Sequence, residues 1–96
     1  MSKVNVIGLG YIGLPTAIIL AEVGHTVLGI DIDKNKVDSI NKGQPHFFEP
    51  GLQNSLEKVI KNKRFKASLK IKNAEIFIIS VPTPFKNSDT NIPLPD

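Results

Sequence analysis

Apolar residues fall along this chain with two different spacings. Val4–Ile7, Thr26–Ile30 and Glu75–Val81 are short, largely β-branched or aromatic runs, and Phe65–Ser68 reads as an edge strand. Runs of that length and composition predict buried strands. Between them apolar positions recur every three or four residues, as on one face of a helix. A first helix is expected over about Tyr11–Val23. In it Gly13, Ala17 and Ala21 form a small-residue stripe, widened by Leu14 and Ile18. Pro15 is tolerable in a first turn, and Gly24 suits a left-handed stop. His25 follows as a structural residue at the helix end. A second helix is expected from an Asp33 N-cap through Lys42, with Val37 and Ile40 inward and Gly43 as its stop. Pro50 suits the opening of a third, carrying Leu52, Leu56, Val59 and Ile60 on one side.

The remaining segments are connections. Gln44–Pro50 reads as a loop anchored by Phe47 and Phe48, whose packing in the loop is favoured over stacking on a base. His46 has no metal-ligand partner at useful spacing and reads as structural. Leu69–Ala74 is a connector. From Phe85 the chain is polar and punctuated by proline, and 85–96 is expected to be a mobile tail. No internal repeat is present, and residues 1–84 are expected to form a partial dinucleotide-binding domain.

Strand, helix, strand, helix, helix, strand, connector, strand is the order of an α/β domain with a parallel sheet and helices on both faces. By analogy with doubly wound folds of Rossmann type, the strands should lie in the order 3-2-1-4, an incomplete first half of such a domain. Its last strand would then be an apolar edge, a liability expected to be covered by self-association or by further sequence.

The chemistry concentrates where the first strand meets the first helix. Gly8, Gly10 and Gly13 stand in G-x-G-x-x-G spacing. The first glycine allows a tight turn, and the second lets a pyrophosphate approach the backbone. The third lets the helix lie close on the sheet. The N–H groups and positive dipole end of that helix then face the phosphates. Asp31 ends the second strand eighteen residues after Gly13, where a carboxylate accepts from a ribose 2′-hydroxyl. The same charge repels the extra phosphate of NADP, so Asp31 favours NAD, a preference that Lys34 and Lys36 could soften. As a turn or capping residue Asp31 would be unremarkable; the glycines upstream favour the ribose role. Thr83, at the carboxyl end of the last strand, is a candidate cofactor contact and equally a turn residue between prolines.

Composition narrows the alternatives. The 96 residues are 41% hydrophobic and 22% charged with a formal net charge of +3, ordinary for one soluble domain. The lysines are scattered without interleaved aromatics, which argues for a solvated surface and against nucleic acid. There is no cysteine, which excludes disulfides and thiolate chemistry within these residues and fits the cytoplasm. The apolar run Ile12–Val23 is too short to span a membrane.

Val6–Pro15, Asp31-Ile32-Asp33, Glu49-Pro50-Gly51-Leu52 and Val81–Phe85 together resemble, in the same order, the UDP-glucose/GDP-mannose dehydrogenase family. The resemblance covers essentially the whole chain. It implies an enzyme that oxidises the primary alcohol of a sugar nucleotide to a carboxylate with two NAD in succession. By resemblance Gly8, Gly10, Tyr11, Ile12, Gly13, Asp31 and Thr83 contact NAD, and Lys36 holds a position often basic near the adenosine end. The family's nucleophilic cysteine, its lysine and asparagine helpers and its sugar-nucleotide domain are expected beyond Asp96, so these residues alone should not catalyse. Two other readings stand beside this one: a free-standing NAD-sensing module, and a methyltransferase using S-adenosylmethionine. The tight glycine spacing disfavours the methyltransferase. Sequence beyond Asp96 separates the other two.

Overall fold

The computed structural model describes residues 1–80. Its elements are β1 (Lys3–Ile7), α1 (Gly13–Glu22), β2 (Thr26–Ile30), α2 (Lys34–Asn41), α3 (Leu52–Lys61), β3 (Phe65–Ser68) and β4 (Ile76–Ile79). The four strands form one parallel sheet in the order β3-β2-β1-β4, as the sequence predicts. Val81, the Pro-Thr-Pro turn with Thr83, and the expected tail lie outside the described residues.

One feature of the layout differs from expectation. Strand residues in one set of rows, Val4, Val6, Val27, Phe65 and Ala67, share a single core cluster with Leu14, Ala17 and Ile18 of α1, Val37 and Ile40 of α2, and Leu56 and Val59 of α3. The alternate rows hold Asn5, Leu28 and Lys66, aligned across the three strands and outside that cluster. Side chains alternate between faces along a strand. All three helices therefore cover the same face, where helices on both were expected. The reason is handedness. The steps β1 to β2 and β2 to β3 move in one direction, and right-handed crossovers place both helical layers on one side. The return step to β4 is made by residues 69–75 without a helix, so among the described residues the rear face carries none.

Element boundaries also shift. α1 begins at Gly13 with Ile12 as its N-cap, so Gly10–Ile12 belong to the turn. α3 begins at Leu52, and its N-cap is Gly51 at φ +82°. Pro50 precedes that cap, in the turn, and so does not open the helix. Asp33 caps α2 as expected, its carboxylate accepting from the Lys36 N–H at 3.2 Å. β4 is shorter than the apolar run, though its ladder extends through Glu75 N–H to Lys3 O at 2.9 Å and Ser80 N–H to Ile7 O at 2.7 Å.

Two side-chain amides, one buried and one half-buried, fasten the sheet. Asn41, on the last turn of α2, donates to Ala67 O at 2.9 Å and accepts from Ala67 N–H at 2.8 Å. It thereby stands in for a neighbouring strand on the outer edge of β3. Asn5, 2% exposed in the middle of β1, donates to Lys72 O at 2.6 Å and fastens the helix-free connector to the rear face.

All three helices end alike. At the end of α1 Gly24 N–H bonds Ala21 O and His25 N–H bonds Leu20 O. Gly43 and Gln44 do the same for α2, and Lys63 and Arg64 for α3. This closure needs a left-handed residue after the C-cap. Gly24 (φ +111°) and Gly43 (φ +82°) adopt it freely, but at α3 the residue is Lys63, φ +62°. A side chain there costs roughly 1 kcal/mol. Lys63→Gly is therefore expected to raise unfolding stability by up to about 1 kcal/mol, read as a higher urea midpoint at unchanged slope. A lower midpoint would show that the Lys63 side chain contributes more than its backbone costs.

Candidate functional site

β1 and β2 pair in parallel with Ile7 opposite Ile30, so the residues following them, Gly8 and Asp31, emerge side by side. The Gly8 N–H donates to Ile30 O at 2.7 Å, and Gly8 then turns at φ +98°, a conformation that favours glycine. Leu9 points down into the core and is 0% exposed. It fits because β2 has a glycine beneath it: a Cβ on Gly29 would meet Leu9 Cδ2 at 2.7 Å. The sequence reading passed over Gly29, although an isolated glycine inside a strand is a recognised sign of close approach.

The other two glycines have separate jobs. A Cβ on Gly13 would overlap the Gly8 carbonyl oxygen and lie 2.8 Å from the Gly8 carbonyl carbon, so the helix meets the turn backbone to backbone. A Cβ on Gly10 would meet nothing within 4 Å. Gly10 is thus not required by the packing of the described residues, and the space above it is open. Leu14 N–H bonds Gly10 O, and Thr16 N–H bonds Ile12 O. Among the described residues no acceptor takes the N–H groups of Gly10, Tyr11, Ile12 or Gly13, and no side chain caps α1. The side chains of Tyr11 and Ile12 are 76% and 72% exposed, which leaves their backbone at the floor of an open shelf. Unsatisfied donors at the positive end of a helix form an anion cradle.

Asp31 lies beside this shelf. One carboxylate oxygen accepts from the Leu9 N–H and the other from the Asp33 N–H, both at 3.0 Å. The Lys36 ammonium stands 3.4 Å from the first. Burial of the carboxyl pushes its pKa up. The Leu9 and Asp33 N–H groups and the Lys36 charge together outweigh this and hold it below the ordinary value. Asp31 is therefore a turn-fixing residue as well as a charged wall to the shelf. Its two oxygens retain lone pairs for a further donor. Lys34 does not join it, pairing instead with Asp38 on α2 at 2.8 Å.

The loop between α2 and α3 closes the near side. Phe47 packs on the core and also against Tyr11, ring centroids 4.6 Å apart. His46 meets Phe47 edge-on at 4.8 Å. Burial lowers the His46 pKa and Lys36 lowers it further, against the opposing pull of Asp31 and Asp33. Phe48, expected to anchor the loop with Phe47, is 91% exposed and does not. The hydrophobic run could not say which of two adjacent phenylalanines turns inward. Among the described residues no group of three His, Asp or Glu could hold a metal, and no helix is long and apolar enough to cross a membrane.

The fit to a dinucleotide is direct: free N–H donors, an uncovered glycine and an ionised carboxylate meet at the carboxyl ends of adjacent parallel strands. Comparison with known proteins agrees. Residues 2–94 match the UDP-glucose/GDP-mannose dehydrogenase family, NAD binding domain, and the chain belongs to that family. It is 51% identical over 88 residues to the UDP-N-acetyl-D-mannosamine dehydrogenase of Campylobacter jejuni, covering 92% of this chain and 22% of that protein. It is 43% identical over 82 residues to an NDP-N-acetyl-D-galactosaminuronic acid dehydrogenase of Ralstonia nicotianae, covering 85% of this chain and 19% of that one. The structure superposes on the UDP-N-acetyl-mannosamine dehydrogenase of Staphylococcus aureus with a TM-score of 0.87 at 45% identity, covering 91% of this chain and 21% of the other. The chain thus spans about a fifth of the length of these relatives.

The glycines give a test that separates folding from binding. Gly10→Ala is expected to leave thermal unfolding within about 1 kcal/mol of wild type while weakening NADH binding at least tenfold. Gly13→Ala is expected to destabilise the fold itself, because the overlap is with backbone. Equal losses of stability in both variants would contradict this division.

Proposed function

We propose that this chain is the NAD-binding amino-terminal portion of a UDP-sugar 6-dehydrogenase, most like UDP-N-acetyl-D-mannosamine dehydrogenase. The proposed overall reaction converts UDP-N-acetylmannosamine to UDP-N-acetylmannosaminuronate in the cytoplasm, with two NAD accepting hydride in turn. The observation that carries the reading is the set of four N–H groups, Gly10 to Gly13, that no acceptor takes among the described residues, beside the Asp31 carboxylate. Identity of 51% with a dehydrogenase of that name supports the choice of sugar.

In this proposal the N–H groups of Gly10, Tyr11, Ile12 and Gly13 hold the pyrophosphate, with the turn at Gly8 aiming them. Asp31 accepts from the hydroxyls of the adenosine ribose. Its N–H partners and Lys36 keep it ionised, and therefore an acceptor, across neutral pH. Lys36 lines the adenosine end, and Thr83 contacts the cofactor from beyond β4. NAD supplies the hydride acceptor. Oxidation through a covalent thiol step needs a thiolate, and no cysteine occurs in these 96 residues. The nucleophile and the sugar-nucleotide pocket must therefore come from other sequence, and the chain alone is expected to show no turnover.

Titration with NADH and NADPH tests the cofactor assignment. Saturable NADH binding is expected at roughly millimolar Kd, about 4 kcal/mol, because only the adenosine and pyrophosphate halves are contacted. NADPH should bind more weakly, and Asp31→Ala should erase the difference. Binding of neither coenzyme, or an unchanged preference in Asp31→Ala, would overturn it.

The same proposal assigns the open edge of the sheet to self-association. Ile76, Phe77 and Ile79 of β4 are 44%, 50% and 70% exposed, an apolar strand with unpaired backbone along its outer side among the described residues. Sedimentation of the 96-residue chain is expected to show concentration-dependent dimer, shifted toward monomer by Phe77→Lys. A monomer at every concentration would reject this surface as a contact between copies.

A further inference from the structure

A chain of three rings leads from the glycine turn to the loop between α2 and α3. Tyr11, in the turn, stands against Phe47 with ring centroids 4.6 Å apart, and His46 meets Phe47 edge-on at 4.8 Å. Phe47 is itself packed on the core, so the imidazole is held at the rim of the shelf. His46 remains exposed, and no side-chain hydrogen bond among the described residues uses its ring nitrogens. Three charged groups act on the ring: Lys36 and Asp33 from the first turn and cap of α2, and Asp31 from the end of β2. Glu49, on the same loop, is not among them. His46 therefore shares its electrostatic surroundings with the carboxylate assigned to the adenosine ribose.

The charge of this rim turns on the imidazole. Asp31 and Asp33 against Lys36 leave it net negative while His46 is neutral, and a proton on His46 brings it to balance. A phosphate on the ribose 2′-oxygen is repelled in the first state and largely relieved of that repulsion in the second. Imidazole is the side chain whose charge ordinarily changes between about pH 5 and 8. Burial and the Lys36 charge hold His46 below its usual 6.5, against the pull of Asp31 and Asp33, so the neutral state prevails at neutral pH. Asp31, held below the ordinary carboxylate value, stays ionised over the same interval. Acidification therefore changes the sign of the discrimination at one ring without removing the carboxylate beside it.

We propose that His46 is a coenzyme-selecting residue of the shelf: neutral, it leaves Asp31 to turn NADP away, and protonated, it joins Lys36 in accepting the 2′-phosphate. This role rests on the assignment of the shelf to NAD. It makes the preference for NAD a function of pH, and it couples NADP binding to uptake of a proton at His46.

The test is an NMR titration of the chain with NAD and, separately, NADP, the acid-stable oxidised coenzymes, at about pH 5.5 and about pH 8 in low salt. The ratio of the NADP Kd to the NAD Kd is expected to fall roughly three- to tenfold from the higher pH to the lower. The 2′-phosphate loses charge of its own near about pH 6, and His46→Gln measures that share, so its fall should be clearly smaller than that of wild type. His46→Lys, carrying a permanent charge, should show the lowered ratio already at the higher pH. The His46 imidazole C2–H resonance gives a readout apart from affinity: its pKa should rise on adding NADP, and less on adding NAD. The same pH response in wild type and His46→Gln, wild-type discrimination in His46→Lys, or a His46 pKa that NADP leaves unmoved would each overturn the role of His46 while the NAD assignment stands. Binding of neither coenzyme at either pH would overturn both.

Discussion

The structure depends on one clasp between the carboxyl ends of β1 and β2. Gly8 N–H reaches Ile30 O, and the next N–H, of Leu9, reaches the Asp31 carboxylate. These two bonds tie the residues following one strand to those following its neighbour. Leu9 is then driven into the space that Gly29 leaves, and α1 is pulled onto the turn until Gly13 meets Gly8. Backbone that would otherwise be a flexible loop is held with its donors outward. An anion cradle of this kind works through preorganisation, because N–H groups fixed before binding need no reordering when the anion arrives.

The clasp also explains why one residue serves two ends. A carboxylate that only capped a turn would not need to be charged, and one that only met a ribose would not need to bond Leu9. Asp31 does the first visibly, and the same bonds keep it ionised for the second, proposed role. Lys36 adds to this from α2, whose own start is set by the Asp33 cap three residues earlier. Local capping chemistry in α2 therefore reaches the shelf through a single ammonium group.

The one-sided helical layer has consequences at both ends of the sheet. With the β3-to-β4 step made by a connector, Asn5 has to hold that connector from a buried position. The rear face carries Asn5 and Lys66 beside Leu28 and Phe77 in one row and Ile7, Ile30 and Ile79 in the next, a largely apolar surface of the kind a second layer covers. β4 remains an apolar strand with Ile76, Phe77 and Ile79 exposed, the arrangement of a sheet built to be continued or joined. The glycine shelf needs neither feature, since it is assembled from β1, α1 and β2, with Lys36 of α2 and the Phe47 loop beside it.

Sequence by itself determined the elements, their parallel order and the place of the site. Strand runs, glycine stops and the spacing of Gly8, Gly10, Gly13 and Asp31 are local signals, written in residues adjacent in the chain and set by φ, hydrogen-bond supply and period. Tertiary structure decided what depends on partners distant in sequence. Gly29 matters because of Leu9, and Asn41 because of an edge strand 26 residues away. Phe47 rather than Phe48 turns inward because Tyr11 stands opposite. Lys36 reaches Asp31 while Lys34 is taken by Asp38. Helices on one face instead of two followed from the direction of successive crossovers. None of these is a property of a window of sequence; each is a distance, and distances between remote residues exist only once the chain has folded.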